Sequence, residues 1–170
     1  MMLKMFGVAL TVVGCGSVGF QMAANYRKEE CALQQLLRIL EYMECELQYR
    51  LTPLPELCRQ AGNTYKQMPG NVFCDLATEL ESQISPDISC CMNAVLRRHN
   101  QIPPITRKSL VYLGTTIGKF DMSGQLKGFT AANEICKQHL NALSQGREAR
   151  LRRYQTLGLC AGAALAILLI

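Results

Sequence analysis

The chain is predicted to be all-α, an antiparallel bundle of about six helices bounded by an N-terminal and a C-terminal membrane helix. Three observations predict it. Apolar residues recur at steps of three and four through the middle of the chain, and no segment sustains two-residue alternation. Two stretches, Met5 to Tyr26 and Tyr154 to Ile170, carry no charge. Every charged side chain except Lys4 lies between them. With 170 residues there is room for one domain, which excludes a large multidomain enzyme. Apolar residues make up 49% and charged residues 18%, which excludes a charge-rich disordered tail.

The division expected is 1–26 as a transmembrane anchor, 27–153 as a helical domain and 154–170 as a second hydrophobic membrane helix. A bilayer takes about 17–25 apolar helical residues, so the first stretch is long enough and the second sits at the short limit. Arg27 and Lys28 directly follow the first stretch, and Arg147, Arg150, Arg152 and Arg153 precede the second. Lys and Arg beside a membrane helix tend to stay cytoplasmic, which predicts a cell-membrane protein with its middle domain in the cytosol. These basic residues also suit anionic headgroups. Gly14, Gly16 and Gly19 in the first segment, and Gly158 and Gly162 in the second, suit close helix packing in the membrane.

The elements follow in order. From Leu33, apolar residues at Leu36, Leu40, Met43 and Leu47 make a core-facing stripe that ends near Arg50, widened by Leu37 and Ile39. Thr52 is expected to cap a second helix, with Pro53 at its first position and Glu56 near its positive end, stopping by Ala61-Gly62. Pro69-Gly70-Asn71 reads as a turn with Asn71 as cap. Phe73, Leu76, Ala77, Leu80 and Ile84 form the third stripe. Ser85-Pro86-Asp87 opens a fourth, Ile88, Cys91, Met92, Val95 and Leu96, with Arg97, Arg98 and His99 at its carboxyl end. After Pro103-Pro104, Leu110, Leu113 and Ile117 form a fifth that ends at Gly118. The sixth begins between Asp121 and Ser123, carries Leu126, Phe129, Ala132, Cys136, Leu140 and Leu143, and runs on toward the C-terminal apolar segment.

Chemistry is sparse. Nine cysteines without a CxxC fit a reducing compartment rather than a disulfide framework. Cys136 and His139 share a helix face but lack companions for a metal site, and Cys90-Cys91 lacks a paired base. Residues 14–19 form a G-x-G-x-x-G, yet the long helical pattern that follows leaves no second strand for a dinucleotide fold. Val12 to Cys15 resembles a lipobox, which keeps a lipid-anchored extracytoplasmic domain as the alternative, although the apolar run continues to Ala24. A cleaved signal peptide is disfavoured by Arg27-Lys28. Glu41, Glu44 and Glu46 read as solvated helix face, and Tyr42 and Tyr49 as bundle-edge packing. No catalytic, cofactor-binding or metal-binding residue is assigned, and neither nucleic acid nor a small-molecule substrate is expected.

Two stretches carry a resemblance. Glu46-Leu-Gln-Tyr49-Arg-Leu-Thr52-Pro53-Leu54-Pro-Glu56-Leu57 resembles the E-[IL]-x-Y-x-x-T-P-L-x-E signature of the stage III sporulation protein AB family. Leu113-Gly114-Thr-Thr-Ile117-Gly118-Lys-Phe-Asp121-Met-Ser-Gly-Gln125 resembles its L-G-x-x-[LI]-G-x-x-D-x-x-x-Q motif. The resemblance implies a cytosolic six-helix bundle similar to the type II secretion system F domain. It also implies a non-enzymatic membrane platform needed for sporulation. That platform would stand in the mother-cell membrane facing the forespore, beside a secretion-type ATPase (stage III sporulation protein AA) and other channel proteins. A general type II secretion or pilus-type scaffold is the neighbouring alternative, and homo-oligomerisation stays open. Physically, the first motif suits a tight corner. In the second, Gly114 and Gly118 suit close helix approach, Asp121 suits a cap on the last helix, and Gln125 suits its first turn.

Overall fold

The computed structural model describes residues 2–82, 87–117 and 122–169, with side chains for 24–82, 87–117 and 124–145 and for Gln21, Thr156 and Cys160. Among the described residues there are six helices and no strand: α1 Met2–Arg50, α2 Leu54–Thr64, α3 Gly70–Glu81, α4 Ile88–Arg98, α5 Pro104–Thr116 and α6 Met122–Leu169. The chain divides into two compact units, Met1–Lys28 with Ala142–Ile170, and Glu29–Asn141. In the first unit the helical backbone of α1 and α6 is described, with side chains for Gln21, residues 24–28 and 142–145, Thr156 and Cys160. Among the described residues no helix is long and apolar enough to cross a membrane. Gly14, Gly16, Gly19, Gly158 and Gly162 and Arg147, Arg150, Arg152 and Arg153 lie outside the residues whose side chains are described.

The second unit is built on the predicted stripes. Leu33, Leu36, Ile39, Leu40, Met43 and Leu47 of α1 are buried, with Phe73, Leu76 and Ala77 of α3, Cys91, Met92, Val95 and Leu96 of α4, Leu110 and Leu113 of α5, and Phe129, Ala132 and Cys136 of α6. Fully burying a side chain of this size contributes about 1.5–3 kcal/mol, so this shared core is the main source of the unit's stability. Leu37, Leu80 and Leu140 sit half-buried at its margin.

Helix ends follow local chemistry, with corrections to the expected caps and to the end of α2. Thr52 does not cap α2; Pro53 does, its extended backbone (φ −56°, ψ 143°) offering its carbonyl to Leu57 N–H at 2.9 Å. Pro55 takes the first-turn place expected of Pro53, because that position's missing N–H has no helical partner to lose. α2 also runs past Ala61-Gly62 to Thr64. Asn71 is the second residue of α3 rather than its cap, and Pro69 precedes the helix after a cis Met68-Pro69 bond. Asp87 caps α4 as an acid should: its carboxylate accepts from Ser89 N–H at 3.1 Å and from Ser89 Oγ at 2.6 Å. Ile84, Ser85 and Pro86, and Gly118 and Asp121 of the second motif, lie outside the described residues. α5 ends at Thr116, with Ile117 as its C-cap.

Glycines of this unit serve close packing. A Cβ on Gly62 would stand 2.3 Å from Cys74 Sγ and 2.9 Å from Gly70 O, so this mid-helix glycine admits α3 instead of ending α2. A Cβ on Gly114 would stand 2.8 Å from Met92 Cβ, which is the close approach expected of it, made here to α4.

Buried polar contacts set the register of the long helices. Glu29 of α1 accepts from Thr106 N–H (2.9 Å) and Oγ1 (3.1 Å) at the start of α5. The Ser109 hydroxyl of α5 lies near enough to the Cys136 thiol of α6 to lower its pKa against the larger rise from burial, while a Cβ on Gly128 would meet Thr116 Cγ2 at 2.9 Å. Glu44 of α1 accepts from Thr130 Oγ1 and Asn133 Nδ2 of α6, both at 2.8 Å. α5 and α6 are therefore antiparallel, and so are α1 and α6.

Candidate functional site

That register places the two motifs at one end of the second unit. The chain enters the unit at Glu29 and leaves at Asn141, and Glu29 lies against the start of α5. The opposite end holds the close of α1, the start of α2, the close of α5 and the start of α6. Residues 46–57 and the described parts of the second motif, 113–117 and 122–125, far apart in sequence, thus lie together at that end.

The corners divide their labour. Leu57, Leu113 and Gly114 are buried. Glu56 stands in the first turn of α2, where its charge suits the helix dipole, and accepts from Gln60 Nε2 at 3.0 Å. Glu46 pairs with Arg50 at 3.6 Å one turn on. Thr52, Leu54 and Gln125 are half-buried. Tyr49, however, does not pack at the bundle edge as expected; it is 77% exposed. Leu51 is 63% exposed and adopts a left-handed backbone, φ 56°. Tyr112, 40% exposed, is the third large apolar side chain left open among the described residues, one turn before α5 closes at the same end.

Leu51 is the informative residue. A left-handed turn ends α1 sharply, but for a residue with a Cβ it costs about 1–2 kcal/mol, and glycine is the usual occupant. An exposed leucine recovers little of that by burial. Leu51→Gly is expected to raise folding stability by up to about 1 kcal/mol, the relief reduced by glycine's greater freedom in the unfolded chain. Urea unfolding followed by circular dichroism measures it, and a loss of stability would show that the leucine side chain serves the fold.

Elsewhere the structure joins residues that the sequence left separate. Glu44 is no solvated acid: it ties α1 to α6 through Thr130 and the buried Asn133. Glu41 stays exposed, and Tyr42 packs edge-on against Tyr65 with ring centroids 6.2 Å apart. Burial, with Glu46 nearby, raises the Tyr42 hydroxyl's pKa. On the α2–α3–α4 surface, Arg59 pairs with Glu81, Arg98 with Glu79, and His99 with Asp75 at 2.7 Å. One signal for Glu29 and Glu44 was present: both fall at helical spacing on the apolar stripe, four residues before Leu33 and four after Leu40.

No group of three or more His, Cys, Asp or Glu side chains suited to a metal occurs among the described residues. Burial pushes the Cys58 thiol up to about 12, with Cys74 adding to the shift, and raises Cys91 and Cys136 as well. Such thiols stay protonated and poorly nucleophilic. Cys90 and Cys91 face apart, the first exposed and the second buried.

The comparisons agree with one another. The family model for stage III sporulation protein AB matches residues 4–170. The stage III sporulation protein AB of Bacillus subtilis (strain 168) is 25% identical over 176 residues, spanning 99% of this chain and 100% of that protein. A solved structure of a stage III sporulation protein AB superposes with a TM-score of 0.63 at 18% identity, over 72% of this chain and 98% of that one, which is a likeness of fold. With its two motif corners at one end of a helical bundle and the family pattern running through nearly its whole length, the chain belongs to the stage III sporulation protein AB family.

Proposed function

We propose that this protein is a non-enzymatic membrane platform of sporulation. It is anchored by 1–26 and 154–170, with its 27–153 region in the mother-cell cytosol. There it docks a secretion-type ATPase (stage III sporulation protein AA) or other channel proteins facing the forespore. The observation that carries the proposal is the family match over residues 4–170. The charge-free terminal stretches and the basic residues beside them support the anchored topology. The motif end of the bundle is the docking face, because Tyr49 and Leu51 are apolar, exposed and, for Leu51, held at a conformational cost. Tyrosines of this kind carry a disproportionate share of binding energy at interfaces.

Two experiments test it. Protease added to protoplasts should leave an epitope in the Lys66–Asn71 region intact until the cells are lysed; cleavage in intact protoplasts would place the domain outside and restore the lipid-anchored alternative. In sporulating cells, tagged protein should co-purify the ATPase. Tyr49→Ala combined with Leu51→Gly should cut that recovery about tenfold or more, in the range of a lost interface anchor, without lowering folding stability. Unchanged recovery would remove this end as the docking face.

A further inference from the structure

We propose that the α4–α5 corner, residues 97–108, is a contact surface for an anionic lipid leaflet. The segment reads Arg97-Arg98-His99-Asn-Gln-Ile-Pro-Pro-Ile-Thr-Arg107-Lys108, with no acid in it. Glu29 on Thr106 places this corner at the end of the unit where the chain enters, opposite the motif end. Arg27 and Lys28 precede Glu29 in the chain and are exposed.

The acids facing the corner are accounted for. Glu29 is buried at the positive start of α5, Asp75 meets His99, and Glu79 meets Arg98. Glu30, beside Glu29 in the chain, is half-buried and has an interaction of its own. Arg107 donates to Leu96 O at 2.6 Å, which straps the corner closed and keeps its charge there. Arg97 and Lys108 are exposed, as are Asn100, Gln101 and Pro104 between them. The result is a rigid, basic, proline-stiffened corner at the entry end. An anionic leaflet matches it in charge. Nucleic acid fits less well, since residues 97–108 contain no Phe, Tyr or Trp, and their one imidazole, His99, is paired with Asp75.

The inference rests on the membrane-anchored reading, and its test separates the two. The full-length protein is reconstituted in nanodiscs of mixed phosphatidylglycerol and phosphatidylcholine, or of phosphatidylcholine alone. A benzoylphenylalanine photoprobe replaces Gln101, or Thr115 near the far end of α5. Lipid adducts are expected at position 101 in the anionic discs, severalfold fewer in neutral discs, and none at position 115. Each basic side chain near an anionic surface contributes on the order of fivefold to association. Arg97→Glu with Lys108→Glu should therefore reduce the adduct about tenfold or more. Arg97→Lys with Lys108→Arg should keep it, which separates charge from folding. Incorporation without adducts at 101, or equal adducts in both lipids, overturns the inference alone. A chain that never enters the discs overturns the anchored reading and this inference together.

Discussion

Gly70→Ala is expected to cost the bundle about 3 kcal/mol or more, the upper end of overpacking penalties. A Cβ on Gly70 would lie 1.5 Å from the Tyr65 carbonyl oxygen and 2.7 Å from its carbon, a covalent rather than a van der Waals separation. The obstacle is backbone, so no rotamer change relieves it. Tyr65 ends α2, its N–H bonded to Ala61 O at 3.0 Å and its ring packed on Tyr42, so moving it disturbs the α2–α3 turn and the contact with α1 together. Urea unfolding followed by circular dichroism should show an early transition. A midpoint within about 1 kcal/mol of the parent would mean that the 65–70 turn shifts as a unit at little cost.

Glu29→Leu carries the second large expectation, a loss of about 2–4 kcal/mol. Glu29 is 7% exposed, and its carboxylate is the acceptor for both the N–H and the hydroxyl of Thr106, itself fully buried. Hydrogen bonds to a charged group are worth about 1.5–3 kcal/mol each, and buried donors left without an acceptor cost about 1–3 kcal/mol. The negative charge also faces the amino end of α5. Glu29→Gln keeps a carbonyl acceptor and gives up only the charge, so it should lose about 1 kcal/mol. Equal losses for Leu and Gln would show that charge, not the acceptor, closes the start of α5. A loss below about 1 kcal/mol for Leu would mean that water replaces the carboxylate there.

Both residues show where local pattern stops informing. Gly70 lies in Pro-Gly-Asn, which by itself is a turn, and turn chemistry accounts for a glycine without any neighbour. What makes a side chain impossible there is Tyr65, brought back by the end of α2. Glu29 stands four residues before Leu33, on the apolar stripe, and that spacing already marked an acid headed for the interior. It did not mark Thr106 as its partner, 77 residues on. The Thr52 and Pro53 corner misled for a simpler reason. Two prolines, Pro53 and Pro55, both suit the start of a helix, and the choice depended on which carbonyl Leu57 N–H reached.

The motif residues divide in the same way. Leu113 and Gly114 are legible as fold, because an apolar stripe and a glycine on a helix face predict burial and close approach. Tyr49 was not. On periodicity it is one more aromatic near a stripe, and its exposure follows from α1 ending one residue later and Leu51 turning left-handed. No sequence rule places a leucine at positive φ, since its own propensity opposes it.

By itself, the sequence determined the helical class, the six segments and the core-facing residues of the stripes. These depend on the 3.6-residue period and on proline, glycine and acid near helix ends, and both act within a few residues. Tertiary structure alone decided that Glu29 closes α5, that Glu44 holds α6, and that corners some 60 residues apart share one end while a basic corner occupies the other. Those outcomes depend on which helix lies beside which and in what register. Helix–helix packing sets that register through contacts between distant side chains, which local periodicity does not encode.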